Sequence, residues 1–279
     1  MFEFPRSQFW LRAYGLAVLA LLLWPLAYAV WVSFTPGELL APARGEWSLR
    51  WYRQFFDNRQ WMAGLWNSLI VALLAVAAAL VGGVGLALAL TRHHFRGQRF
   101  LSLAVLLPLF VPAVVLGMSL LPWVRVLGLW GTRLSVALAH GLWGLPVVFL
   151  VVRAALEEVD PDVESAARGL GAAPLLVFRR ITLPLILPGV LVGAIMGFIL
   201  SLNEFMIALF LCTPEIETLP KVIWPNLRYT LTPLVAAASC VTMLVTLAGL
   251  ALVAWLLKLE RFVDHLLSEQ SPKRSSTGP

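Results

Sequence analysis

The sequence predicts an all-α integral membrane protein with six spanning helices. Composition is the first reason: 60% of the 279 residues are hydrophobic and only 13% are charged. Soluble domains carry about 45–50% apolar and about 25% charged residues. The second reason is the spacing of apolar runs. Stretches of the length that crosses a bilayer as a helix recur at Ala13–Phe34, Leu65–Thr91, Phe100–Val124, Leu134–Val152, Leu185–Phe210 and Leu231–Leu257. Only the fifth holds an acidic residue, Glu204. The organisation expected is an interfacial N-terminus over 1–12, a membrane unit over 13–257 and a disordered tail over 258–279, including Ser271–Ser276.

Phe2–Trp10 mixes Phe and Trp with Glu3 and Arg6, which suits a segment lying at the inner membrane surface. The first span is long and lacks a small-residue cleavage site, so it is read as a retained helix, not a removable signal peptide. The segment from Pro36 to Gly64 is aromatic, with Trp47, Trp51, Tyr52, Phe55, Phe56 and Trp61, as in a belt at headgroup level. In the second span Ala77 to Ala79, Gly82, Gly83 and Gly85 permit close helix contact. Pro108, Pro112 and Pro122 predict a kinked third span, because each proline removes a backbone donor. His140 lies on the fourth.

Charge is more informative by position than as the total of +6. Arg92, Arg96 and Arg99, with no acid among them, mark an inside loop and place both termini in the cytoplasm. Basic residues fall on both sides, so a nucleic-acid partner is discounted. Cys212 and Cys240 are isolated in or beside apolar spans and are read as packing residues. No His or Cys pair has metal-site spacing. Gly117-Met118-Ser119 with His140 invites an intramembrane protease reading, but no second glycine follows the serine and nothing supplies an oxyanion hole. No Gly-x-x-x-x-Gly-Lys-Ser/Thr loop exists to cradle nucleotide phosphates, so no cofactor is expected on this chain and any ATP is bound by a partner subunit.

The longest charged interruption in the second half is Glu157–Gly189. Asp160-Pro161 reads as a helix start, and Asp162 and Glu164 complement the positive end of its dipole. Val163, Ala166, Ala167 and Leu170 share one small apolar face. Gly171 can take the left-handed conformation that ends a helix, and Pro174 can begin the next. In the fifth span Asn203 and Glu204 stand out, since an acid at membrane depth faces a cavity or a partner. Two readings stand side by side: Glu204 lines a path for a cationic substrate, or it is a carboxylate near the outer boundary, bonded to a neighbouring helix or to a partner subunit.

Ala166-Ala167, Gly171, Ile181 and Leu183-Pro184 stand at the spacing of the EAA loop, by which the chain resembles the permeases of binding-protein-dependent ABC importers. Ser165 occupies the family's glutamate place and Glu164 stands one residue earlier, a local drift inside a preserved register. Trp47 to Tyr52 with Phe55-Phe56, Trp66 to Leu69, Thr218 to Pro220 and Thr232 to Ala237 resemble the spermidine/putrescine-type branch. The resemblance implies the type I importer arrangement and a bacterial inner-membrane location. It makes the helix from Asp160 to Gly171 a cytoplasmic coupling helix, with Glu164, Ser165, Ala166, Ala167, Gly171, Ile181, Leu183 and Pro184 as coupling residues. It also implies an ABC ATPase dimer, a second homologous permease, an extracytoplasmic substrate-binding protein and a polyamine-like cargo, moved by alternating access. The alternative is a secondary transporter driven by an ion gradient, for which only Glu204 and His140 could serve, with no internal repeat to support it.

Overall fold

The computed structural model describes the backbone of residues 5–41 and 45–269, and the side chains of 10–41 and 45–258. Of the tail expected to be disordered over 258–279, residues 258–269 instead continue the last helix. The remainder, with Ser271–Ser276, and most of the interfacial reading of Phe2–Trp10 lie outside the described residues. Every regular element among the described residues is helical. Two compact units emerge, Met1–Trp66 with Thr218–Leu244, and Asn67–Glu217 with Val245–Pro279.

The first unit contains α1 (Pro5–Ser33), α2 (Arg50–Asp57), the start of α3 (Arg59–Arg92), α11 (Leu219–Tyr229) and the start of α12 (Pro233–Glu269). Its aromatic segment divides in two. Trp51, Phe55 and Trp61 are buried, whereas Trp47 and Phe56 remain exposed. The Trp51 indole N–H donates to the Thr35 carbonyl at 2.9 Å, and the Tyr52 hydroxyl shares a 2.8 Å hydrogen bond with Ser33. These bonds fold the segment back onto the end of α1, so it is more than a surface belt. Asn58 caps α3, its side-chain oxygen accepting from the N–H of Gln60 and of Trp61. Gly64 lets α3 approach α11 closely: a Cβ there would lie 3.0 Å from Val222 Cγ2 and 3.4 Å from Leu219 Cα. The stretch around α11, expected to be a loop, thus contains a helix started by Pro220.

The second unit is built on α6 (Arg133–Glu157) and α9 (Leu183–Leu202). Gly189, Gly193 and Gly197 recur every fourth residue along α9 and meet Ala155, Val148 and Val152 of α6. This small-residue stripe brings the two backbones together where lipid supplies no hydrophobic drive. Phe149, Val152 and Leu156 of α6 and Ile186 of α9 are fully buried beside Ala87 and Leu90 of α3.

Five helices are long and apolar enough to cross a membrane, and six if one bent pair counts as a single span. That pair corrects the expected third span. It is α4 (Gln98–Phe110) and α5 (Ala113–Val126), which meet at 106°. Only Pro112 causes the break. The residue before a proline is pushed out of the helical region, and Val111 is extended with ψ 124°. Pro112 then opens α5, its carbonyl accepting from Val115 and Leu116. Pro108 and Pro122 sit inside their helices.

The fifth span also differs from the expected Leu185–Phe210. It begins at α8 (Pro174–Val177), runs through a π-helical turn over Phe178–Thr182 into α9, and ends at Leu202. A short separate helix, α10 (Met206–Leu211), follows the interruption at Asn203–Phe205. Cys212 and Cys240 are buried and are not joined by a disulfide.

Candidate functional site

The loop between α6 and α9 folds around α7 (Pro161–Gly169) as its sequence dictates. The Asp160 side chain accepts from the Asp162 N–H at 2.9 Å, and Pro161 takes the first helical position. At the other end Gly171 has φ +87°. Its N–H donates to Arg168, and the Ala172 N–H donates to Ala167, the paired bonds of a Schellman ending. Three residues after Gly171, α8 opens at Pro174 and leads into the π turn, closed by Leu183 N–H on the Phe178 carbonyl. Pro184 has no N–H to continue the α-helical ladder here, and a widened turn accommodates the mismatch.

Of the nine residues of α7, Glu164 is the buried one. Its carboxylate receives the Arg92 guanidinium, with Nε at 3.2 Å from both oxygens, and the Thr182 hydroxyl at 3.0 Å. Arg92 also donates through Nη2 to the Val159 carbonyl at 2.9 Å. The group joins the end of α3, the entry to α7 and the π turn. Ser165, at the glutamate place of the EAA pattern, is exposed and its hydroxyl returns to the Pro161 carbonyl. Ala166 and Gly171 are exposed, Ala167, Ile181 and Leu183 half-buried, and Pro184 exposed. The outward face carries apolar side chains: Val163 is 47% exposed, Leu170 90% and Leu175 66%.

At the interruption after α9, Asn203 is exposed and bonded to the Ile199 carbonyl. Glu204 is buried, and its Oε2 accepts from the N–H of Ile207 and Ala208 at 2.9 and 3.3 Å, capping α10. His140 of α6 faces it, with Nε2 3.4 Å from Oε2 but without hydrogen-bond geometry, while Nδ1 lies 2.9 Å from Ser201 Oγ. The serine beside His140 is therefore Ser201; Ser119 is exposed. Glu204 thus has partners on its own short helix and on α6.

Arg92, Thr182 and Ser201 were not legible as site residues. Arg92 looks like any topology-setting cation at a span end, and only the fold brings it to Glu164. Asn67 is a further case: its amide donates to the Glu217 carbonyl and accepts from Arg133, joining three segments of the second unit.

Long apolar helices, with a charged loop between two of them whose short helix exposes apolar side chains, suit a membrane subunit that meets a partner. Likeness to known proteins gives its class as a transport permease, not an enzyme. Residues 79–261 match the family described as binding-protein-dependent transport system inner membrane component, and the chain belongs to that family of ABC importer permeases. It is 33% identical over 241 residues to the putrescine transport system permease protein PotI of Escherichia coli strain K12, covering 84% of this chain and 85% of PotI. It is 40% identical over 191 residues to a probable molybdenum ABC transporter permease protein of Haloferax volcanii, covering 65% of this chain and 70% of the relative. The fold is similar to a chain of a bacterial ABC transporter involved in the import of the polysaccharide alginate, with TM-score 0.68 at 17% identity, covering 92% of this chain and 98% of that one. A multi-pass inner-membrane protein follows from the family.

Proposed function

We propose that this chain is the half-channel of an importer whose cargo is a polyamine or a related small amine, and that α7 is the helix on which its ATPase docks. The carrying observation is α7 itself: one buried, ion-paired residue below and an apolar outward face above, ended by a glycine whose added Cβ would meet nothing within 4 Å. An exposed apolar helix face at the end of a membrane bundle is suited to lie in a partner's groove. Arg92, Arg96 and Arg99 support placing this end, and both termini, in the cytoplasm. ATP is then hydrolysed on the docked subunit, and a second permease and an external binding protein complete the assembly. The membrane unit is taken as 13–257.

Cargo rests on the PotI similarity. The molybdenum relative supports an oxyanion instead, and the two differ in sign of charge. The test is co-purification of the tagged chain from its host in mild detergent, beside Gly171→Trp. ATP hydrolysis should accompany the wild type and be lost with Gly171→Trp. In liposomes with the complete system, uptake of putrescine but not molybdate supports the amine; the reverse replaces it. If Gly171→Trp retains its ATPase, α7 is not the docking helix.

A further inference from the structure

The only buried side chain of α7 is the one that is ion-paired, and that coincidence has a mechanical consequence. On one side of α7 lies an open groove of about 630 Å³ lined by Glu158, Asp160, Val163, Leu185 and Pro188. On the other lies a cleft of about 290 Å³ that reaches Arg92, Thr182 and Phe178. With open space on both flanks, packing alone cannot hold the helix against a sideways push. The link is polar: Arg92 spans Glu164 and the Val159 carbonyl, and Thr182 bonds the same carboxylate. Arg92 and Glu164 side chains are 12% and 8% exposed, so most of their hydration is replaced by these charge-assisted bonds, with the cleft reaching one edge of the cluster.

We propose that Arg92, Glu164 and Thr182 form a clamp that makes α7 one rigid piece with the adjoining ends of α3 and α9. A displacement imposed on the outward face of α7 then turns both spanning helices and does not dissipate in bending of the loop. The three are positioning residues, and the proposal rests on the reading of α7 as the docking helix. It differs from that reading in placing the transmission, not the docking, in a buried ion pair one residue before the EAA register.

The experiment places nitroxide labels at Asp162→Cys and Val81→Cys, both exposed positions, after Cys212 and Cys240 are replaced by Ala. Label separation is measured by pulsed electron paramagnetic resonance in the assembled transporter, without nucleotide and with ATP and vanadate. With the clamp intact, the distance distribution is narrow and the same in both states. Glu164→Gln and Arg92→Gln broaden it and make it change with nucleotide. Thr182→Val acts in the same direction, and Thr182→Ser restores the narrow distribution. A distance that changes with nucleotide in the unmodified clamp, or one that stays narrow in all three disrupted variants, overturns the proposal. Where a charge variant fails to assemble, the comparison of Thr182→Val with Thr182→Ser decides. Failure of the docking reading is seen separately, as an ATPase that still co-purifies with Gly171→Trp.

Discussion

Arg92 Nε lies 3.2 Å from both carboxylate oxygens of Glu164, tying the end of α3 to a helix 72 residues further along the chain. Both side chains are nearly buried. Removing one partner leaves a desolvated charge and costs about 3–5 kcal/mol, whereas replacing both with apolar groups is often close to neutral. Arg92→Met and Glu164→Met should each lower the unfolding midpoint in detergent, and the double variant should recover most of the loss. Equal losses that simply add in the double variant would mean the pair contributes no coupling.

Gly171 tests local backbone and surface separately. Its φ of +87° penalises an L side chain by about 1–2 kcal/mol, while Asn visits this region more readily. Since nothing lies within 4 Å of an added Cβ, Gly171→Asn should keep near-normal stability and Gly171→Ala should lose about that amount. Thermal melts of the two variants check the order.

Gly83 and Gly85 look alike in the sequence and should behave differently. A Cβ on Gly83 would meet Val148 Cγ1 at 3.0 Å and the Phe149 backbone nitrogen at 3.2 Å; one on Gly85 meets nothing within 4 Å. Gly83→Val should cost about 1–3 kcal/mol through overpacking, while Gly85→Val folds normally. Folded yield by size-exclusion chromatography distinguishes them.

Glu204 caps α10 through one carboxylate oxygen. An amide oxygen can accept the same bonds, so Glu204→Gln should fold and import a cationic cargo within about twofold of the wild type, whereas Glu204→Ala should lose the cap, about 0.5–2 kcal/mol. Loss of uptake by a well-folded Glu204→Gln would return the charge to the transport path.

Much of the site was legible because it is local. Asp160, Pro161 and Gly171 act on backbone groups within a few residues, so helix start, helix end and the exposed face of α7 could be read directly. The break at Val111–Pro112 was half legible: three prolines announced distortion, but only Pro112 stands at the 106° bend, while Pro108 and Pro122 stay within their helices. The glycine stripe of Gly189, Gly193 and Gly197 was present in the pattern, yet which helix it meets depends on topology.

From the sequence alone came the membrane class, nearly all the span positions, the family resemblance and the start and end of the short helix in the charged loop, since hydropathy and turn chemistry are properties of short segments. Tertiary structure decided that Glu164 is buried and Ser165 exposed, that Arg92 and Thr182 complete the same cluster, and that Glu204 meets His140. Those outcomes rest on burial and on bonds between residues 18 to 72 positions apart. A buried charge must find its partner wherever the fold brings one within reach, and neither propensity nor spacing specifies where that is.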